Sequence, residues 1–102
     1  NDFSTKENIK SINYKTLLQQ GAIIIDVRSK GEFRGGHIKG SLNIPVDVLR
    51  QNLNQLQNKN QVIITCCASG MRSTSAKSIL KASGYTEVYN GGGWSSLNSK
   101  LS

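Results

Sequence analysis

Two adjacent thiols, Cys66 and Cys67, close the apolar run Val62-Ile63-Ile64-Thr65 and are followed by Ala68-Ser69-Gly70-Met71-Arg72-Ser73. The β-branched run reads as a strand, and a helical pattern begins at Arg72. A thiol at a strand end, facing a short loop that opens a helix, meets the unpaired N–H groups of the first turn and the positive end of the helix dipole. Both favour the thiolate. Arg72 adds a full positive charge. Those residue types in that order suit a nucleophilic cysteine acting on an anion.

The elements that must hold this loop alternate between strand and helix patterns. Tyr14, Leu17 and Leu18 follow Asn13, a good N-cap, at helical spacing, and Gly21 can end that helix. Ala22 to Val27 is apolar on both faces, as is Gln61 to Cys66, and each reads as a buried strand. Ser29-Lys30-Gly31-Glu32 fits a capping box opening one helical turn. Leu42 to Ile44 reads as a short strand ended by Pro45, and Val46, Leu49, Leu53 and Leu56 recur at helical spacing. Ala76, Ile79 and Leu80 mark the next helix, Glu87 to Tyr89 a third short strand, and Trp94 and Leu97 a last helical turn after Gly91-Gly92-Gly93. Strands apolar on both faces and separated by helices predict an α/β fold: a mostly parallel central sheet flanked by helices on both faces. Ligands of such sheets bind outside the carboxyl ends of the strands, where Cys67, Asp26 and Arg28 fall.

Length and composition narrow the function. With 102 residues the chain is expected to form a single domain over 1–102. Thirteen Lys and Arg against six Asp and Glu give a net charge of +7, but the lysines are scattered from Lys6 to Lys100 without aromatic interleaving. That pattern is a solvated basic surface with mild attraction for small anions, and no nucleic-acid partner is expected. Adjacent cysteines cannot staple a fold, and one histidine, His37, offers no metal cluster, so neither metal nor cofactor is expected. There is no run of 18 apolar residues, so no membrane partner is expected. The chain begins at Asn1 with no initiator Met, as a processed or trimmed chain does; the compartment stays open between cytoplasmic and exported with a leader removed.

Three segments together resemble the rhodanese-like family of single-domain sulfurtransferases. They are Asp26-Val27-Arg28 with Glu32-Phe33 and Gly36-His37-Ile38-Lys39-Gly40-Ser41-Leu42-Asn43-Ile44-Pro45; the loop Cys67 to Ser73; and Asn90-Gly91-Gly92-Gly93-Trp94. The resemblance runs from about Ile12 to Leu97 and implies a small α/β domain with a central parallel sheet. It also implies sulfur transfer, with Cys67 taking a sulfane sulfur from thiosulfate as a persulfide and passing it to cyanide, a thiol or a protein partner. Under it the amides of Ala68, Ser69, Gly70, Met71 and Arg72 cradle the sulfur, and Arg72 with the Ser69 and Ser73 hydroxyls meets donor oxygens or steadies the loop. The chain departs from the family at Cys66, where an aromatic or histidine is usual, and in having Arg72 as the one charged residue of the loop. The apolar Met71 suits a protein or thiol partner.

Counting from Cys66 instead gives C-x5-R-S, the signature of cysteine-dependent phosphatases, one branch of which resembles the same fold with a longer loop. Three readings therefore stand: a thiosulfate sulfurtransferase, a sulfur-relay or redox module, and a phosphatase using Cys66. Cys66, as the last strand residue, is expected to point away from the Cys67 cradle as a small buried hydrophobe, or else to serve as a resolving thiol. Asp26 and Arg28 form either a pair that buttresses the loop or a structural ion pair. Glu32 is expected to cap its turn or pair with Arg28, and His37 to hold a structural corner. The three glycines are expected to let the chain pass close to the loop, with Trp94 in the nearby wall.

Overall fold

The computed structural model describes residues 12–102; Lys6 and Lys10 lie outside the described residues. Helix α1 spans Tyr14–Gln19 and is capped by the Asn13 side chain, which accepts from the Thr16 amide at 3.1 Å. Strand β1 (Ile23–Asp26) follows, then α2 (Lys30–Gly35), β2 (Leu42–Asn43), β3 (Ile63–Cys67), α3 (Met71–Ala82), β4 (Val88–Gly93) and α4 (Trp94–Leu101). The four strands form one parallel sheet in the order β2-β1-β3-β4, with the two continuously apolar strands at its centre.

Alternation along the strands divides the core into two. Ile25, Val27, Ile63, Cys67 and Val88 face Leu49, Leu56, Ala76 and Leu80 on one side of the sheet. Ala22, Ile24, Ile64 and Cys66 face Leu97 on the other, with Tyr14, Leu17, Leu18 and Trp94 packed against them. Helices thus cover both faces, as parallel sheets require.

Three differences from the sequence expectation bear on the surroundings of the cysteine loop. The segment after Pro45 is two 3-10 stretches, Val46–Val48 and Arg50–Gln55, with non-helical φ −118° at Asn52. The Asn52 amide donates to the Val48 carbonyl at 2.8 Å, a side-chain bond that competes with α-helical pairing. The apolar spacing still delivers Leu49 and Leu56 to the core, because i and i+3 share a face in either helix type. Strand β3 runs one residue further than expected and ends at Cys67, not Cys66. Strand β4 runs through the glycines to Gly93, paired to β3 across a bulge between Thr65 and Cys67.

Candidate active site

Cys67 stands where β3 stops and its sulfur lies under the first turn of α3. The Gly70 amide donates to Sγ at 2.9 Å and the Ser73 amide at 3.3 Å, with the Ser69 amide adding a further bond. Ser73 Oγ lies 3.6 Å from the sulfur. Such curvature requires Gly70 at φ +104°, a left-handed conformation that a side chain would strain. Gly93 gives the other side of the loop its room: a Cβ there would lie 2.9 Å from the Ala68 carbonyl oxygen. The glycine run does bring β4 against the loop.

Burial alone would push the Cys67 thiol up. The Ser73 hydroxyl and the amides of Ser73, Gly70 and Ser69 outweigh it and hold the thiol below its ordinary value. Cys66 is the opposite case. Its sulfur sits in the second core, where burial first and the Asp26 carboxylate second push it up to about 12. A nucleophile counted from Cys66 would therefore lie on the face of the sheet away from these amides.

The other expected residues divide. Ser69, Gly70 and Ser73 converge on the sulfur, whereas the Ala68 carbonyl lies close against Gly93 and Met71 is 79% exposed. Arg72 makes a two-point ion pair with Glu32, Nη1 to Oε1 at 2.7 Å and Nη2 to Oε2 at 3.0 Å. Glu32 also completes the expected capping box with Ser29. Its carboxyl is held down at about 2, first by Arg72 and then by Ser29. Of the two roles expected for Glu32, capping its turn is the one the structure has; Arg28 reaches only its carbonyl, at 3.4 Å.

Asp26 and Arg28 are a buried ion pair, 2.7 Å at the closest. Arg28 also donates to the Gly36 carbonyl at 2.7 Å and lies 4.7 Å from the Trp94 ring centroid. These bonds tie α2 to the sheet, and through α2 the pair supports Glu32, the partner of Arg72. Trp94 belongs to this pair's face of the sheet, away from the Cys67 sulfur. His37 Nδ1 lies 2.7 Å from the Phe33 carbonyl oxygen and its ring stacks on Phe33 at 3.7 Å, the structural corner expected.

Two residues were given no role of their own by the sequence. Asn90 Oδ1 accepts from Ser73 Oγ at 2.7 Å and from the Gly92 amide at 2.9 Å, while Nδ2 donates to Thr74 Oγ1 at 2.7 Å. Thr65 Oγ1 donates to the Ser73 carbonyl at 3.0 Å. Both fasten the first turn of α3 to the sheet, and both depend on strand register. A cleft of about 590 Å³ opens beside the loop at Arg72, lined by Val27, Pro45, Val46 and Val48 with Ser29, Lys30, Asp47 and Asn52. Among the described residues no three His, Cys, Asp or Glu side chains converge as metal ligands, and no helix is long and apolar enough to cross a membrane.

Known proteins resemble the chain in sequence and in fold. The chain is 42% identical over 69 residues to YqhL of Bacillus subtilis, an uncharacterized protein, covering 68% of this chain and 54% of that one. It therefore spans about half the length of that relative. It is 36% identical over 70 residues to thiosulfate sulfurtransferase PspE of Escherichia coli, covering 68% of this chain and 67% of PspE. The structure of the human single-domain sulfurtransferase TSTD1 superimposes with a TM-score of 0.69 at 31% identity, over 76% of this chain and 80% of that one. The family model for the rhodanese-like domain matches residues 11–100, and with the parallel sheet and the amide-lined cysteine loop in place, the chain belongs to the rhodanese-like domain family.

Proposed function

We propose that this protein is a sulfurtransferase that carries a sulfane sulfur as a persulfide on Cys67, with thiosulfate as a donor and cyanide or a thiol as acceptor. The observation that carries the reading is the set of amides around one sulfur, Gly70 at 2.9 Å and Ser73 at 3.3 Å. Fixed N–H donors stabilise the nucleophile and, one bond further out, the charge on a persulfide. The thiosulfate sulfurtransferase name of the relative PspE supports the same reading.

In the first half-reaction the Cys67 thiolate attacks the sulfane sulfur. A new S–S bond forms, the S–S bond of thiosulfate breaks, and sulfite leaves with the electron pair. In the second, the acceptor attacks the outer sulfur; thiocyanate or an acceptor persulfide departs and the Cys67 thiolate returns. The attacking species in the first step is the Cys67 thiolate, which the amides favour, and in the second it is cyanide or the acceptor's thiolate, so neither S–S exchange has a proton transfer built into it.

A second reading, a relay module that passes persulfide between proteins, is favoured by one observation: Met71, at the lip of the loop, is 79% exposed. Faster transfer to thiols or protein cysteines than to cyanide distinguishes it. The phosphatase reading would show as phosphate-ester turnover. The direct test is to incubate the protein with thiosulfate, remove the excess and map the mass by peptide. One added sulfur on the Cys67 peptide, released by cyanide or dithiothreitol, is expected; a free thiol in folded protein discards thiosulfate as donor.

A further inference from the structure

The loop that follows Cys67 holds a single cation, Arg72, the one full positive charge the loop itself can offer an anionic donor. That guanidinium is already engaged, with both terminal nitrogens on the Glu32 carboxylate at 2.7 and 3.0 Å. Glu32 is itself held in place. Its Oε1 accepts from the Ser29 amide and from Ser29 Oγ, both at 3.0 Å, at the start of α2. The Arg28–Asp26 pair in turn anchors α2 to the sheet through the Glu32 and Gly36 carbonyls. A carboxylate fixed by its own helix cap loses little freedom on forming a two-point pair, unlike most exposed ion pairs. The pair remains open to solvent, with both side chains 39% exposed, so an arriving anion competes with Glu32 directly.

We propose that Glu32 sets the charge selectivity of the Cys67 site. By holding Arg72 in a two-point ion pair it neutralises the loop's one cation, favours sulfur donors of low charge such as organic persulfides over a sulfonate-bearing dianion, and leaves a strong anion site only when the carboxylate is removed. With an organic persulfide, the Cys67 thiolate attacks the outer sulfur, the donor S–S bond breaks, and the donor thiolate leaves with the electron pair. That the reactant is a sulfur donor rests on the sulfur-transfer reading above; the charge balance at the loop does not.

The test compares alkylation of Cys67 by iodoacetate and by iodoacetamide, followed on the Cys67 peptide. The ratio of the two rate constants cancels the thiolate fraction and reports the potential at the sulfur. Glu32→Gln keeps a side chain that can cap Ser29 while removing the charge. It is expected to raise the ratio about threefold or more at low ionic strength, and the gain is expected to vanish in about 1 M salt. In an Arg72→Gln background the same substitution is expected to raise the ratio by less than about half as much. An equal rise in both backgrounds would mean that Glu32 acts through its own charge alone; no rise would mean that Arg72 does not serve the sulfur. Either result overturns the proposal. A protein that gives the expected ratios yet takes no sulfur from thiosulfate keeps the charge selectivity and loses that donor.

Discussion

Cys66 and Cys67 are neighbours on one strand, equally sealed from solvent at 0% and 1% exposure, yet their surroundings are opposite. Strand alternation sends one thiol to each face of the sheet. Cys66 meets Ile24, Ile38, Ile64 and Leu97 and the Asp26 carboxylate, and is pushed up to about 12. Cys67 meets three amides and a hydroxyl, and is held below the ordinary thiol value in spite of burial. Burial therefore does not decide which of the two thiols ionises more readily. Donors aimed at the charged form decide it, and here they come from the first turn of a helix wrapped over a strand end.

The largest effect expected is the loss of one thiol against the loss of the other. Cys67→Ser should abolish persulfide formation, a fall of at least about a thousandfold, because an alcohol is far from ionised at neutral pH. Cys66→Ala should leave most of the transfer rate and cost about 1 kcal/mol of stability from a small cavity. Transfer rates and denaturant midpoints of the two variants check this. Surviving transfer in Cys67→Ser, with loss in Cys66→Ala, would move the nucleophile to the other face and break the comparison.

Next comes the room that the loop needs. Gly93→Ala places a methyl 2.9 Å from the Ala68 carbonyl oxygen; the oxygen belongs to the backbone and the methyl is fixed rigidly to it, so neither can swing aside. The loop must shift, which should cost about 1–3 kcal/mol. The amide positions should be spoiled with it, so that Cys67 alkylation slows by about tenfold or more. An unchanged alkylation rate would show that the cradle tolerates displacement.

Much of this was legible before any coordinates. Two continuously apolar runs gave the central strands, and Asn13 and Ser29 announced their helices by caps that are local by nature. The order Cys67 to Ser73 implied the amide cradle because a strand end followed by a helix start sits within one short segment. What failed was long in range or weak in pattern. Arg72 and its partner Glu32 are 40 residues apart, and nothing local says that α2 and α3 begin side by side. Asn90 reaches Ser73 only because β4 lies beside β3, a register that glycines do not advertise. The apolar spacing after Pro45 fits an α-helix and a 3-10 helix equally well, and an asparagine side chain settled it.

The finer test concerns what supplies the donors. Ser73→Ala removes the hydroxyl 3.6 Å from the sulfur and keeps the amide at 3.3 Å. The midpoint of the pH profile for iodoacetamide alkylation of Cys67 should rise by about half to one pH unit, still below that of Cys66. The sign follows from the thiolate: losing a donor to the charged form raises the pKa, so reactivity at neutral pH falls. A midpoint that stays in place would assign the whole effect to the amides.

The smallest effect is expected one step further out, at Asn90. Its Oδ1 and the Gly70 carbonyl, at 2.7 and 2.9 Å, compete with the sulfur for the single Ser73 hydroxyl proton. When Cys67 is a thiol it can donate to Ser73 Oγ while Ser73 donates to Asn90; when Cys67 ionises, the hydroxyl must turn towards the sulfur. Asn90→Asp keeps the acceptor oxygen for Ser73 and for the Gly92 amide. It replaces Nδ2 with a second oxygen, to which Thr74 can donate by releasing the Gly70 carbonyl. The added negative charge holds the Ser73 proton more firmly and repels the thiolate, so the Cys67 midpoint should rise by about half a pH unit. A purely structural role would lower the melting temperature and leave that midpoint where it was. Combining Asn90→Asp with Ser73→Ala separates the two routes. If Asn90 acts through the hydroxyl, most of its effect disappears with the hydroxyl; if it acts by charge alone, the two shifts add.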